Sequence, residues 1–142
     1  MATFTKYNPF IQRLANKEID WFGSTDTWKV AIHTDAPDST NDDDLADLTQ
    51  ISGSNGYTTG GSNITFDSTR SGGTVTATAV DTVFTASGGN LGNSTTGRYF
   101  SVYDDTHAND ALMNSYDYGS TFTVADGETM TVDFGASLAT LA

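Results

Sequence analysis

From Trp28 onward, apolar and polar residues alternate with a period of two, the spacing that gives a strand one buried and one wet face. Trp28, Val30 and Ile32 interleave with Lys29, Ala31 and His33, and Ala36-Pro37-Asp38 ends that strand. Further on, Ile64, Phe66 and Ser68 alternate. A β-branched run from Thr74 to Phe84, interrupted by Asp81, places Val75, Ala77, Ala79 and Val83 on one face. Arg98 to Tyr103 and Ala111 to Tyr118 read as two more strands. Gly119-Ser120 reads as a turn into Thr121–Val124, and Asp126-Gly127 as a hairpin leading to Met130, Val132 and Phe134. Between them lie turn-rich segments, Ser52 to Gly61 and Ser87 to Asn90. The pattern predicts a mainly β fold, an antiparallel β-sandwich or small barrel of about seven to eight strands.

The first 22 residues follow a different period. Ile11, Leu14, Ala15, Ile19 and Phe22 fall at helical spacing, and Asn8-Pro9 suits an N-cap and first turn. This predicts a short helix from about Pro9 to Ile19 within an N-terminal arm, residues 1–22, followed by a β domain, residues 23–142. Such a helix either covers one end of the core or docks on a partner. The acidic run Asp42-Asp43-Asp44-Leu45-Ala46-Asp47 suits a short helix capped by Asn41, or an irregular excursion.

Charge narrows the function. The net charge is −12, and four of the six basic residues (Lys6, Arg13, Lys17 and Lys29) lie near the start. Phosphate binding needs clustered Lys and Arg, so nucleic acid is not expected as a partner. An anionic membrane surface is disfavoured for the same reason. With no cysteine there is no disulfide, thiolate metal site or thiol nucleophile. The opening MATFTKYNPFIQRL does not read as a secretory leader.

Candidate chemistry is sparse. His33 is expected on the wet face of its strand, and His107 in the solvated loop Asp104–Asp110. The sequence holds no nucleophile elbow, zinc-binding helix or phosphate loop, so no catalytic residues, cofactor or metal are expected. Asp42, Asp43, Asp44 and Asp47, and Asp104, Asp105 and Asp110, offer hard oxygen ligands for calcium. Their spacing does not match an EF-hand, and consecutive aspartates diverge on a regular backbone. Trp21, Phe22, Trp28, Tyr57, Tyr99, Tyr103, Tyr116 and Tyr118 would stack on sugars if exposed, or pack the core.

Three segments together, Lys29–Pro37, Gly53–Gly61 (GSNGYTTGG) and Asp117–Phe134, resemble a widespread group of small tailed-phage proteins, as does the opening Phe4–Phe10. The resemblance implies a virion structural protein of the head-decoration or cement type, non-enzymatic, located on the capsid surface and made in the bacterial host cytoplasm. Its partner would be the major capsid protein of the same virion, whose subunits it bridges, and it would form a homo-oligomer. In that role the arm supplies the anchor. Phe4, Tyr7, Phe10, Ile11 and Leu14 would make apolar contacts, and Lys6 and Arg13 ion pairs with the shell. A tail, neck or fibre protein shares the strand-rich composition. A carbohydrate-binding β-sandwich module is the alternative from a different class.

Overall fold

The computed structural model describes residues 3–22, 25–135 and 137–141. The described residues form a mainly β fold with ten strands and one short helix. In chain order these are β1 (Thr3–Lys6), α1 (Asn8–Ala15), β2 (Trp28–His33), β3 (Ser62–Ile64), β4 (Phe66–Ser71), β5 (Thr74–Ala79), β6 (Thr82–Thr85), β7 (Gly97–Asp104), β8 (Ala111–Phe122), β9 (Thr129–Val132) and β10 (Ala139–Leu141). A five-stranded antiparallel sheet runs β1-β8-β7-β2-β3. A three-stranded sheet runs β10-β5-β4, and β6 pairs with β9.

The sheets pack as a small sandwich. Trp28, Val30, Ile32, Phe100 and Val102 from the large sheet meet Ala77, Phe84, Val132 and Phe134 from the smaller ones. The opposite face of the large sheet is covered as well. Tyr7 and the segment bearing Leu45 and Leu48 lie over Ala31, Tyr103 and Leu112. That second layer explains why β2 is buried along nearly its whole length rather than on alternate residues.

The segment drawn as an arm belongs to the same sheet and core. β1 is an edge strand hydrogen-bonded to β8, and Tyr7, Phe10, Ile19 and Trp21 are buried. The helix is shorter than its apolar spacing suggests. It ends at Ala15, and Lys17 takes a positive φ of 60° that reverses the chain. Tyr7, not Asn8, is the N-cap, and Pro9 occupies the first turn.

Three strand expectations change. Val83 is exposed, and Thr82 and Phe84 point inward instead, because the break at Asp81 resets the alternation as the chain passes from one sheet to another. Gly119-Ser120 does not end a strand. β8 continues to Phe122 through a bulge, where the register jumps between the pairs Gly97↔Phe122 and Tyr99↔Asp117. Asp126-Gly127 does make a turn, with the Glu128 amide donating to the Ala125 carbonyl at 2.9 Å, but β9 then pairs with β6 rather than folding back on the preceding strand.

The GSNGYTTGG segment is held by hydrogen bonds at its centre and close backbone approaches at two glycines. The Tyr57 hydroxyl accepts from the Ile32 amide (3.0 Å) and donates to Gln50 Oε1 (3.2 Å), while the Tyr103 hydroxyl donates to the Gly60 carbonyl (2.7 Å). Gly61 sits at φ +77°, where a Cβ would fall 1.8 Å from the Val30 carbonyl oxygen. Only glycine fits that approach.

Candidate functional site

The anchor residues expected from sequence divide into two groups. Phe4, Lys6, Phe10 and Ile11 line one groove of about 370 Å³, together with Trp21, Met113, Asn114, Tyr116 and residues 137–141. Tyr7 is a core residue whose side chain lies inside the fold rather than at a contact surface, and Phe10, also buried, belongs to the floor of the groove. Arg13 is half-buried on its own chain, donating to the Asp43 carbonyl (2.8 Å) and pairing with Asp44 (2.9 Å), and Leu14 packs against the core.

The groove follows from strand order. β1 ends the five-stranded sheet and β10 ends the three-stranded sheet, so two edges with no neighbouring strand among the described residues lie on either side of one groove. Phe4 and Lys6 stand opposite Tyr116 and Asn114, on the inner face of the sheet. Phe4 packs edge-on against Tyr116 (5.7 Å between centroids), and Phe10 edge-on against Trp21 (5.3 Å). Around the rim, Phe4, Leu141 and Ile11 are 46%, 41% and 39% exposed, unusual for large apolar side chains.

Polar groups beneath this rim are unsatisfied. Asn114 is 1% exposed, and among the described residues neither its Oδ1 nor its Nδ2 has a hydrogen-bond partner. The same holds for Trp21 Nε1. Burial pushes the Tyr116 hydroxyl pKa up, and the nearby Asn114 amide draws it partly back without a hydrogen bond of ordinary geometry. Lys6 makes no ion pair among the described residues. Lys29 pairs with Asp105 and Arg98 with Asp117.

Asn114 and Trp21 carry no signal in the alternation. Val102 faces Asn114 while Tyr103 faces Leu112, so Met113 is an extra residue. That bulge flips the phase, and plain alternation from Ala111 puts Asn114 on the wrong face.

His33 is not a surface residue. The layer formed by Tyr7 and the Leu45–Leu48 segment seals its face, and it is fully buried with its ring stacked on Tyr99. It sits in a relay. His33 Nδ1 lies 3.0 Å from the Asp35 carbonyl and 3.3 Å from Asp35 Oδ1. Nδ1–H donating there leaves Nε2 to accept from the Ser101 hydroxyl (2.8 Å), which accepts from the Tyr7 hydroxyl (3.2 Å). The residue types match a Ser-His-Asp triad, but Ser101 and His33 are both wholly buried. Burial holds the His33 pKa below its usual value, against the pull of Asp35, and pushes the Tyr7 hydroxyl up to about 12. The relay ties the junction between β1 and α1 to β7 and β2.

His107 is half-buried near Glu18 (3.9 Å). The acidic run is bound to its own backbone: Asp47 Oδ2 accepts from the Asp43 and Asp44 amides (2.9 and 3.1 Å), and Asp42 Oδ2 from the Asp38 amide (2.7 Å). Leu45–Asp47 forms a single 3-10 turn capped by Asp44, not Asn41. Among the described residues no group of three or more His, Asp or Glu side chains could hold a metal ion.

Most of the aromatics weighed for sugar stacking or core packing are in the core. Trp21, Trp28, Tyr57, Tyr99 and Tyr103 are buried, and Phe22 and Tyr118 are exposed. Phe22 stacks on Trp21 (4.5 Å) at a second, smaller cleft of about 310 Å³ that also holds Asp26, Asn63 and Trp28. The buried Asp104 carboxylate lies close by. Its Oδ1 accepts from the Thr106 amide (2.8 Å), while burial and the adjacent Asp26 carboxylate push its pKa up to about 6.

No family model, curated protein or solved structure matches the chain. Among the described residues no helix is long and apolar enough to cross a membrane.

Proposed function

We propose that the chain is a structural protein of a tailed-phage particle, one that decorates and stabilises the capsid surface by bridging major capsid subunits. The sequence resemblance suggests the role. The observation that carries it is the open sandwich edge, where Phe4, Ile11 and Leu141 gather around one groove. An exposed apolar cluster beside an unpaired strand is a liability in a protein that stays alone, and an asset in one that spends its life against neighbours. The acidic body, net −12, keeps free copies apart in solution. Many copies on one lattice then turn weak single contacts into tight attachment.

The test is to mix labelled chain with assembled shells and with free shell subunits, then image labelled particles. The role requires binding to shells, little affinity for free subunits, and signal over the head. Signal confined to the tail overturns it.

A second reading, a saccharide-binding module, is favoured by the smaller cleft, where exposed Phe22 offers an apolar surface beside Asp26 and Asn63. Strong binding of one sugar on a glycan array, lost on Phe22→Ala, would promote it above the first.

A further inference from the structure

We propose that the groove between β1 and β10 accepts an extended peptide segment of the partner protein, laid along the free edge of β1, with an apolar side chain opposite Phe4 and a carboxylate opposite Lys6. The inference rests on the docking role above and specifies the chemistry of its partner.

Strand addition is the natural occupant of such a site, because an edge strand presents backbone donors and acceptors that another extended chain satisfies. β1 pairs with β8 on one side and with nothing among the described residues on the other. Side chains of an added strand alternate, so those directed inward stand beside Phe4 and Lys6, two residues apart. The Phe4 position meets the apolar rim formed with Ile11 and Leu141.

The Lys6 position determines the charge. Asn114 is the cross-strand neighbour of Lys6. Lys6 is exposed on the groove and makes no ion pair among the described residues, while the buried Asn114 Nδ2 and Trp21 Nε1 beneath it are donors with no acceptor. An exposed cation above unpaired N–H groups suits an anionic group at this end of the groove. A second copy of this chain would offer Phe4 and Lys6 rather than a carboxylate, and would bring one acidic surface toward another. A different protein with an apolar residue two places from an acidic one fits better.

The experiment is a titration of ¹⁵N-labelled full-length protein with three synthetic peptides: acetyl-TVTDTVT-amide, its lysine counterpart acetyl-TVTKTVT-amide, and the rearranged acetyl-VTTDTTV-amide, which moves both valines to the face opposite the aspartate. The expected result is that the first peptide shifts the Trp21 indole and Asn114 side-chain amide signals and slows exchange of the β1 amides, while the others bind about tenfold more weakly or worse. Lys6→Glu, at an exposed position, should weaken the aspartate peptide about tenfold and strengthen the lysine peptide. Lys6→Gln gives the uncharged midpoint should the reversal disturb folding. No shift with any peptide at about 1 mM, equal binding of all three, or indifference to Lys6 overturns the inference. Peptide binding by a chain that does not coat particles would leave the groove assignment standing and remove the capsid role. Undiminished particle binding by Lys6→Glu would do the reverse.

Discussion

Replacing Asn114 with leucine should make the free protein more stable, which is the opposite of what most core substitutions do. Asn114 is buried on the inner face of β8 with both amide atoms unpaired. A buried polar group without a partner costs about 1–3 kcal/mol, whereas an apolar group of the same shape costs nothing of the kind. Leucine has the same branched outline and the same number of side-chain heavy atoms, so overpacking is small. Taking about 2 kcal/mol as the net gain for the side chain, and about 2–4 °C per kcal/mol for a chain of this size, the melting temperature should rise by about 4–8 °C. Calorimetry gives the midpoint directly. Urea titration gives the free energy, provided the slope is unchanged between the two proteins. A fall in stability of more than about 1 kcal/mol would refute the reasoning, because it would mean the amide is satisfied in the free protein and the groove floor is structural.

Ser101→Ala should destabilise by about 1–2 kcal/mol in urea unfolding, since it removes the nearer partner of His33 Nε2 and the Tyr7 hydroxyl and leaves the Ser115 hydroxyl, 3.4 Å from Nε2, as the remaining one. For Asp104 the folded-state pKa is raised to about 6 from 3.8, so the folded state binds the proton more tightly and stability is lost as pH rises through about 4 to 6. Asp104→Asn should remove that loss, and its melting temperature should exceed wild type most at pH 7 and least near pH 4. His33 acts in the opposite sense: its folded pKa is depressed, so its contribution is whole above about 6.5 and falls as pH drops below that. NMR titration should find its ring neutral from pH 8 to below 6.5. Gly61→Ala should cost at least about 2 kcal/mol, because it adds a methyl against the Val30 carbonyl at a positive φ; an unchanged midpoint would show that the loop gives way.

Local pattern made the fold class readable, and longer-range events hid the site. β2 and β7 were legible as strands from their apolar and aromatic residues and pair regularly with each other, although both are buried at nearly every position rather than at alternate ones. The apolar residues between Phe4 and Leu14 were visible as a group. The sequence offers no way to see that Thr3–Lys6 is a strand, since its four residues find their partner at Asn114–Asp117. The burial of His33 is equally hidden, as it depends on a covering layer recruited from Tyr7, Leu45 and Leu48. Asn114 was lost to the bulge at Met113 and Val83 to the break at Asp81, two places where one residue inverts every face that follows. β10 lies on the far side of the groove from β1, and nothing local in its three residues marks them as a wall of anything.

The pairing of β1 with β8 also sets the order in which the molecule can be built on the ribosome. The Tyr7 and Ser101 hydroxyls, which tie the residue after edge strand β1 to central strand β7, are 94 positions apart in the chain. The first segment to emerge therefore waits, unpaired, until most of the remainder has been made, and contacts of such long separation slow folding. Both walls of the groove exist only once β10 is in place, so a half-finished copy has no complete groove with which to engage the partner proposed above.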